Sequence, residues 1–192
     1  MISCVLPISN NEMYHPFCLS SLQISARRCP EEVEIIKIYN KIGVRRAKNF
    51  GALLAEGEIL VFVDADCMVS PDFFSEIHER MRDSSYLGGG IKKVRATNPT
   101  LGSTIFMGLV AGLCKVCSIS IGILCVRTPA FFAVGGFPEA KYNDLRIAFR
   151  LRKWAKKEKM KFSSLKESWL LWSTRKFDRY GSWHWLRGYQ VG

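Results

Sequence analysis

"ILVFVDADCMVSPDFF", residues 59–74, joins an unbroken apolar run to two carboxylates, Asp64 and Asp66, with one alanine between them. So uniform a run fits a strand covered on both faces, as in the centre of a parallel sheet. In extended backbone, residues two apart point the same way. Asp64 and Asp66 are therefore expected to converge at the carboxyl end of the strand, where open α/β sheets bind ligands. Two carboxylates at one point need compensation. A hard divalent cation, Mg²⁺ or Mn²⁺, suits them, because it takes oxygen ligands and keeps positions for substrate phosphates. On the tripeptide alone, an acidic turn with Asp66 capping the next helix is the stronger reading, because an Asp-x-Asp tripeptide is common.

The flanks alternate between the two secondary-structure periods. "SCVLPI" (3–8) reads as a strand closed by Pro7, "FCLSSLQISARRC" (17–29) as a helix stopped by Pro30, and "VEIIKIY" (33–39) as a second strand. "GVRRAKNFGALLAEGE" (43–58) is a helix with Gly57 as its stop. After the acids, Ser70 and Pro71 are placed as N-cap and first residue of another helix. "YLGGGIKKVRA" (86–96) is a glycine-kinked strand, and "ILCVRTPAFFAVGGF" (123–137) a strand, a short helix and a Gly135-Gly136 turn. "NDLRIAFRLRKWAKKEKM" (143–160) is a basic helix with Ile147, Leu151, Trp154 and Ala155 on one face. Strands alternating with helices predict an α/β fold around a mostly parallel sheet.

With 192 residues, 48% of them hydrophobic, the chain has enough apolar material for one compact domain with a real core. Its net charge of +11 favours phosphate-bearing partners: nucleotides, nucleic acid or an anionic membrane face. The apolar stretch from Leu101 to Val126 is interrupted by Lys115 and several glycines, and reads as a buried helix and strand rather than a membrane span. The opening "MISCVLPISNNE" lacks the basic start of a secretory signal. With an odd count of seven cysteines, this predicts a cytoplasmic chain (the host's, for a viral protein) with mostly reduced thiols. Cys114 and Cys117 have redox or zinc spacing but no second pair, so they read as core residues. Cys4 and Cys18 would bridge only in a hyperthermophile host.

The block "GVRRAKNFGALLAEGEILVFVDADCMVSPDFF" (43–74) resembles the central region of family 2 glycosyltransferases, with its elements here reading Ala47-Lys48-Asn49, Ala55-Glu56-Gly57 and Asp64-Ala65-Asp66. "GILCVRTPAFFAVGGFPE", "NDLRIAFRL" and "STRKFDRYG" resemble later elements of the same family, in the same order. The resemblance implies a GT-A-type, Rossmann-like α/β/α sandwich, with residues 1–96 as the nucleotide-sugar half and 97–192 as the acceptor half. It implies a UDP- or GDP-sugar donor, a glycan, glycoprotein or lipid-linked acceptor, and an inverting transfer that needs Mn²⁺ or Mg²⁺. It makes Asp66 the main metal ligand, places Asp64 on the metal or ribose, and makes Asp144 the general base. Lys48, Arg45 and Arg46 would face the diphosphate, with Pro7, Tyr39 and Asn40 around the nucleotide. Gly135 and Gly136 would let backbone approach the acceptor or sugar.

The chain departs from the family where its second strand ends in Asn40 rather than an acid that reads the nucleobase, and where Asn143 replaces the first carboxylate of a Glu-Asp pair. Tyr39 would stack on the base and Asn40 replace the acid weakly. It is also short, as compact forms from archaea or their viruses are expected to be. Trp169, Trp172, Trp183 and Trp185, set among Arg175, Lys176, Arg179 and Arg187, fit either an acceptor or membrane-interface surface or a core lid. His15, His78 and His184 are isolated and carry no metal role. An enzyme that makes sugar nucleotides would show a glycine-rich loop after the first strand, and "LPISNNE" has none. A basic binding module for nucleic acid or membrane, its acids being relics, is the alternative, and salt-dependent nucleic-acid binding would mark it.

Overall fold

The computed structural model describes residues 1–9, 12–40, 43–105, 108, 112, 122–139 and 143–175. Among them are nine strands: β1 (Ile2–Ser9), β2 (Val33–Asn40), β3 (Ile59–Val63), β4 (Cys67–Val69), β5 (Tyr86–Gly89), β6 (Ile91–Ala96), β7 (Ile123–Arg127), β8 (Lys161–Phe162) and β9 (Leu165–Trp172). The helices are α1 (His15–Arg28), α2 (Val44–Leu54), α3 (Phe73–Met81), α4 (Thr128–Ala133) and α5 (Asn143–Lys157).

A six-stranded sheet runs β2-β1-β3-β7-β5-β8, and a second sheet runs β4-β9-β6. In the large sheet β7 alone is reversed, antiparallel to β3 and β5, while the other pairings are parallel. The expected α/β/α sandwich on a mostly parallel sheet is what the chain forms. β3 is central, though, with a parallel partner on one side only.

Alternation along the buried strands sorts the core into two layers. Ile2, Cys4, Leu6 and Ile8 of β1, with Val61 and Val63 of β3, pack under Cys18 and Leu22 of α1 and Phe73, Phe74 and Ile77 of α3. Val5, Leu60 and Phe62 face the other way, onto Ala52, Phe131, Phe137, Ile147 and Leu151. This second layer buries Ile147, Leu151 and Ala155 of α5 as the basic helix pattern predicts, with Trp154 packed at its edge.

Several local expectations are corrected. Pro7 does not close β1: the strand continues to Ser9. Pro7 lies beyond the last β1–β3 pair, where its missing N–H costs no ladder bond on that side. Gly57 is not the stop of α2, which ends at Leu54. Instead Gly57 donates its N–H to Ser3 Oγ at 2.7 Å, and a Cβ there would stand 2.8 Å from the Ser3 nitrogen. Ser70 is not the N-cap of α3; its Oγ accepts the Trp169 N–H, and the helix begins at Phe73 behind Asp72. The 86–96 strand is two strands in different sheets. At Gly88 a Cβ would lie 2.1 Å from the Cys125 carbonyl oxygen, so only glycine lets β5 close on β7.

Residues 101–105 are helical, with Gly102 and Ser103 buried but Leu101 76% exposed, so this turn is buried on one side only; most of the rest of the expected buried helix lies outside the described residues. Thr100 and Ser103 bond reciprocally at its start and hold it at the surface. Among the described residues no helix is long and apolar enough to cross a membrane. Cys4, Cys18, Cys29, Cys67 and Cys125 are free thiols, so no Cys4–Cys18 bridge is present. Cys114, Cys117, Lys115, Lys176, Arg179, Trp183, His184, Trp185 and Arg187 lie outside the described residues.

Candidate active site

β3 ends at Val63, and the backbone turns at once: the Cys67 N–H donates to the Asp64 carbonyl oxygen at 3.0 Å. Asp64 and Asp66 therefore sit on a turn rather than on extended backbone. Both carboxylates act on the same two thiols beneath them. Burial first, and then the negative charge of Asp66 and Asp64, pushes Cys18 and Cys67 far above the ordinary thiol range. The Asp64 N–H donates to the Gly122 carbonyl oxygen at 2.8 Å, fixing the turn against the start of β7. Gly122 has φ +74°, and a Cβ there would lie 2.7 Å from Cys67 Sγ and 3.4 Å from Asp64 Oδ2.

On α2, the tripeptide Ala47-Lys48-Asn49 performs three separate tasks. Ala47 is fully buried. Lys48 reaches beneath the cleft with its side chain only 4% exposed, and its Nζ lies 2.8 Å from Asp64 Oδ1 and 3.5 Å from Asp144 Oδ1. Burial opposes charge on this lysine, but Asp144 and Asp64 more than offset it, so its pKa is raised above the ordinary value. The ring of Phe137 closes one wall, 5.1 Å from Nζ. Asn49 then holds Phe137 by its backbone, accepting its N–H and donating to its carbonyl. Gly136, at φ +63°, makes room, since a Cβ there would meet Asn49 Oδ1 at 2.8 Å. Gly136 thus accommodates a packing contact inside the protein, while Gly135 lies exposed beside it.

The carboxylates that flank Lys48 face outward. The Asp64 side chain is 29% exposed and that of Asp144, in the first turn of α5, is 48% exposed. Asp64 Oδ1 is buried and receives no aligned hydrogen bond, in spite of its ion pair. Sequence places Lys48 toward a diphosphate; the structure gives it two carboxylates. Neither acid is near it in the chain, so nothing local signals the arrangement.

The remaining residues expected around a nucleotide are placed as follows. Pro7 and Tyr39 are near the carboxyl ends of the neighbouring strands β1 and β2, where Ile8 pairs with Tyr39 and Ser9 with Asn40. Tyr39 is 65% exposed and Pro7 is buried. Arg45 donates to the Pro138 carbonyl oxygen at 3.3 Å, and Arg46 pairs with Glu139 at 3.0 Å. Gly43, Arg45, Arg46, Asn49, Phe137 and Glu139 line a cavity of about 200 Å³.

A second tie was not foreseen. The Ser173 N–H donates to the Asp66 carbonyl oxygen at 3.0 Å, and Arg175 pairs with the buried Glu12, just past β1. Thr174 is locked to Thr97 and Asn98 by reciprocal bonds. The tail element thus braces the acid turn. Trp172 is in the core and Trp169 is half-buried. His15 bonds the Glu12 carbonyl oxygen and His78 lies 3.7 Å from Glu31.

The donor chemistry fits a hard cation shared with a ligand. Two partly exposed carboxylates lie here, one with an unaligned buried oxygen, and among the described residues no cluster of three or more His, Cys, Asp or Glu could cage a metal alone. Mg²⁺ and Mn²⁺ sites of this kind use one or two carboxylates and complete their shell with phosphate oxygens and water.

A family model described as Glycosyl transferase family 2 matches residues 20–115, half of the chain. No curated protein sequence matches. Among solved structures, S. aureus TarS has a TM-score of 0.65 at 16% identity, covering 96% of this chain and 38% of its own. TarS 1–349 in complex with UDP-GlcNAc has a TM-score of 0.63 at 18% identity, covering 91% and 58%. The mannosyltransferase PcManGT from Pyrobaculum calidifontis, in complex with GDP-Man and Mn²⁺, has 0.62 at 14%, covering 88% and 56%. The chain spans less than two thirds of each of these proteins, and at these identities the likeness is one of fold, the GT-A fold. The chain belongs to glycosyl transferase family 2.

Proposed function

We propose that this family 2 domain transfers a sugar from a UDP- or GDP-sugar to a hydroxyl acceptor, with inversion at the anomeric carbon and with Mn²⁺ or Mg²⁺. One observation supports this above the others: three side chains from distant parts of the sequence, Asp64, Lys48 and Asp144, meet at the end of β3 beside Asp66. In this reading Asp66, with Asp64, would hold the cation against the donor diphosphate, where its charge offsets that developing on the leaving group. Asp144 takes the proton of the acceptor hydroxyl. The freed oxygen forms its bond to the anomeric carbon on the face opposite the diphosphate, whose bond to the sugar breaks with the electron pair leaving on the phosphate oxygen. Tyr39 would stack on the nucleobase, a reading supported by the 65% exposure of its surface at the sheet edge. Donors in complex with two fold relatives, UDP-GlcNAc and GDP-Man, support the choice of substrate class.

A thermal-shift panel of UDP- and GDP-sugars, with and without Mn²⁺, tests the reading. At least one nucleotide is expected to raise the melting temperature in a metal-dependent way. No stabilisation by any of them would remove the donor. Asp144→Asn is expected to retain that shift and lose transfer; full turnover in this variant would remove Asp144 as the base.

A further inference from the structure

We infer that Lys48 is a positioning residue, which sets the separation between the donor-side aspartate Asp64 and the candidate base Asp144. This rests on the function proposed above and adds a part to it. A lysine is almost never this buried without partners, and both of its partners sit at the cleft surface while the cation sits beneath them. The two carboxylate oxygens can be no farther apart than the sum of their distances to one nitrogen. Asp64 is carried on the end of β3 and Asp144 on the first turn of α5, so without a common tether their spacing would follow every movement of α5 against the sheet.

The tether is itself held. Its nitrogen sits 5.1 Å from the Phe137 ring, and Asn49, the next residue on α2, grips the backbone of Phe137 at two points. The head group therefore has a walled slot, and side-chain rotation alone would not carry it out. The contact is tighter on the donor side, 2.8 Å, than on the base side, 3.5 Å. Asp64 is thus the anchor and Asp144 the group brought to it. Positioning errors near 1 Å are enough to cost roughly a hundredfold in rate.

A double-mutant cycle reads this directly. Release of nucleoside diphosphate in the presence of acceptor is measured for the wild type, Lys48→Met, Asp144→Asn and the double variant, with melting curves for each. Lys48→Met is expected to fold with a lowered melting temperature, because the buried Asp64 Oδ1 loses its counter-charge while the rest of both carboxylates stays partly exposed at the cleft, and to lose about 100-fold in kcat with donor KM within about threefold. If Lys48 acts through Asp144, the double variant is no slower than Asp144→Asn alone. A folded Lys48→Met with wild-type kcat, or losses that multiply in the double variant, would overturn the inference. Should Lys48→Met not fold, Lys48→Arg replaces it: the bulkier fork in the same slot is expected to lower kcat at unchanged KM, and wild-type kcat there would overturn the inference as well. Failure of the underlying function looks different. There the wild type turns over no donor, or Asp144→Asn keeps full activity, and this inference falls with it.

Discussion

Asn49 holds the backbone of Phe137 with both ends of its amide: Oδ1 accepts the Phe137 N–H at 2.9 Å, and Nδ2 donates to the Phe137 carbonyl at 3.0 Å. Phe137 is buried, so removing the amide strands two backbone groups away from water. Asn49→Ala is expected to cost about 1–3 kcal/mol of stability, read from urea unfolding. Asn49→Asp, which can accept but not donate, should fall between it and the wild type. A loss below a few tenths of a kcal/mol in Asn49→Ala would show that the clamp contributes nothing.

Glu76 of α3 receives three backbone N–H groups at the start of β9: Lys166 and Glu167 on Oε1, and Ser168 on Oε2 at 2.6 Å. Burial raises its pKa, but the hydrogen bonds outweigh that, and the value is lowered below the ordinary 4.5. A group whose folded pKa is depressed contributes stability above its unfolded value and loses it as pH falls through the folded value. The wild type should therefore be more stable than Glu76→Gln at neutral pH. The gap should narrow as pH drops below the ordinary carboxylate value. Melting temperatures of both proteins from pH 7 down to pH 3 check this, and parallel curves would contradict it.

Gly122 occupies the left-handed region, and its missing side chain faces Cys67 Sγ and Asp64. Gly122→Ala is expected to lose about 1–2 kcal/mol from backbone conformation alone and to displace the acid turn. Its signature is a metal-dependent nucleotide shift that weakens more than the fold itself. A variant with a normal shift would show that the turn tolerates the added methyl group.

Asp66→Asn should leave the fold intact, since the residue is partly exposed and the amide keeps its size, and abolish stabilisation by Mn²⁺ with nucleoside diphosphate. Chelating the metal from the wild type should reproduce the variant's melting temperature in the presence of the same nucleotide. A saturating ligand at about 100 times its Kd stabilises by about 2.7 kcal/mol, so the loss is well within the range of a melting experiment. Retention of the full shift in Asp66→Asn would take the cation away from this turn.

Much of the framework is legible in the residues. Continuous apolar runs mark β1, β3 and β7, and three-to-four spacing marks α1, α2 and α5, because each pattern reports a local face. β4 and β9 are not legible. Three residues, Cys67–Val69, are too few to show a period, and β9 starts beside a bulge that puts Lys166 and Glu167 out of alternation. The reversal of β7 leaves no trace either, since a strand covered on both faces is apolar whichever way it runs. At the site, the acid pair and Asp144 are visible as residue types. The bridging role of Lys48, the clamp of Asn49 and the brace of Glu12 on Arg175 depend on partners remote in sequence, as with Lys48 and Asp144, 96 residues apart.

β9 pairs with β4 immediately after the acid turn and with β6 on its other edge, while β7 is inserted between β3 and β5. Strands from before and after residue 96 are therefore interleaved like the fingers of two hands. Severing the chain in the loop after β6 would give two pieces that each lack strands the other supplies. Neither should form the pocket alone, and mixing them offers a complementation assay in which regained structure and regained site arrive together.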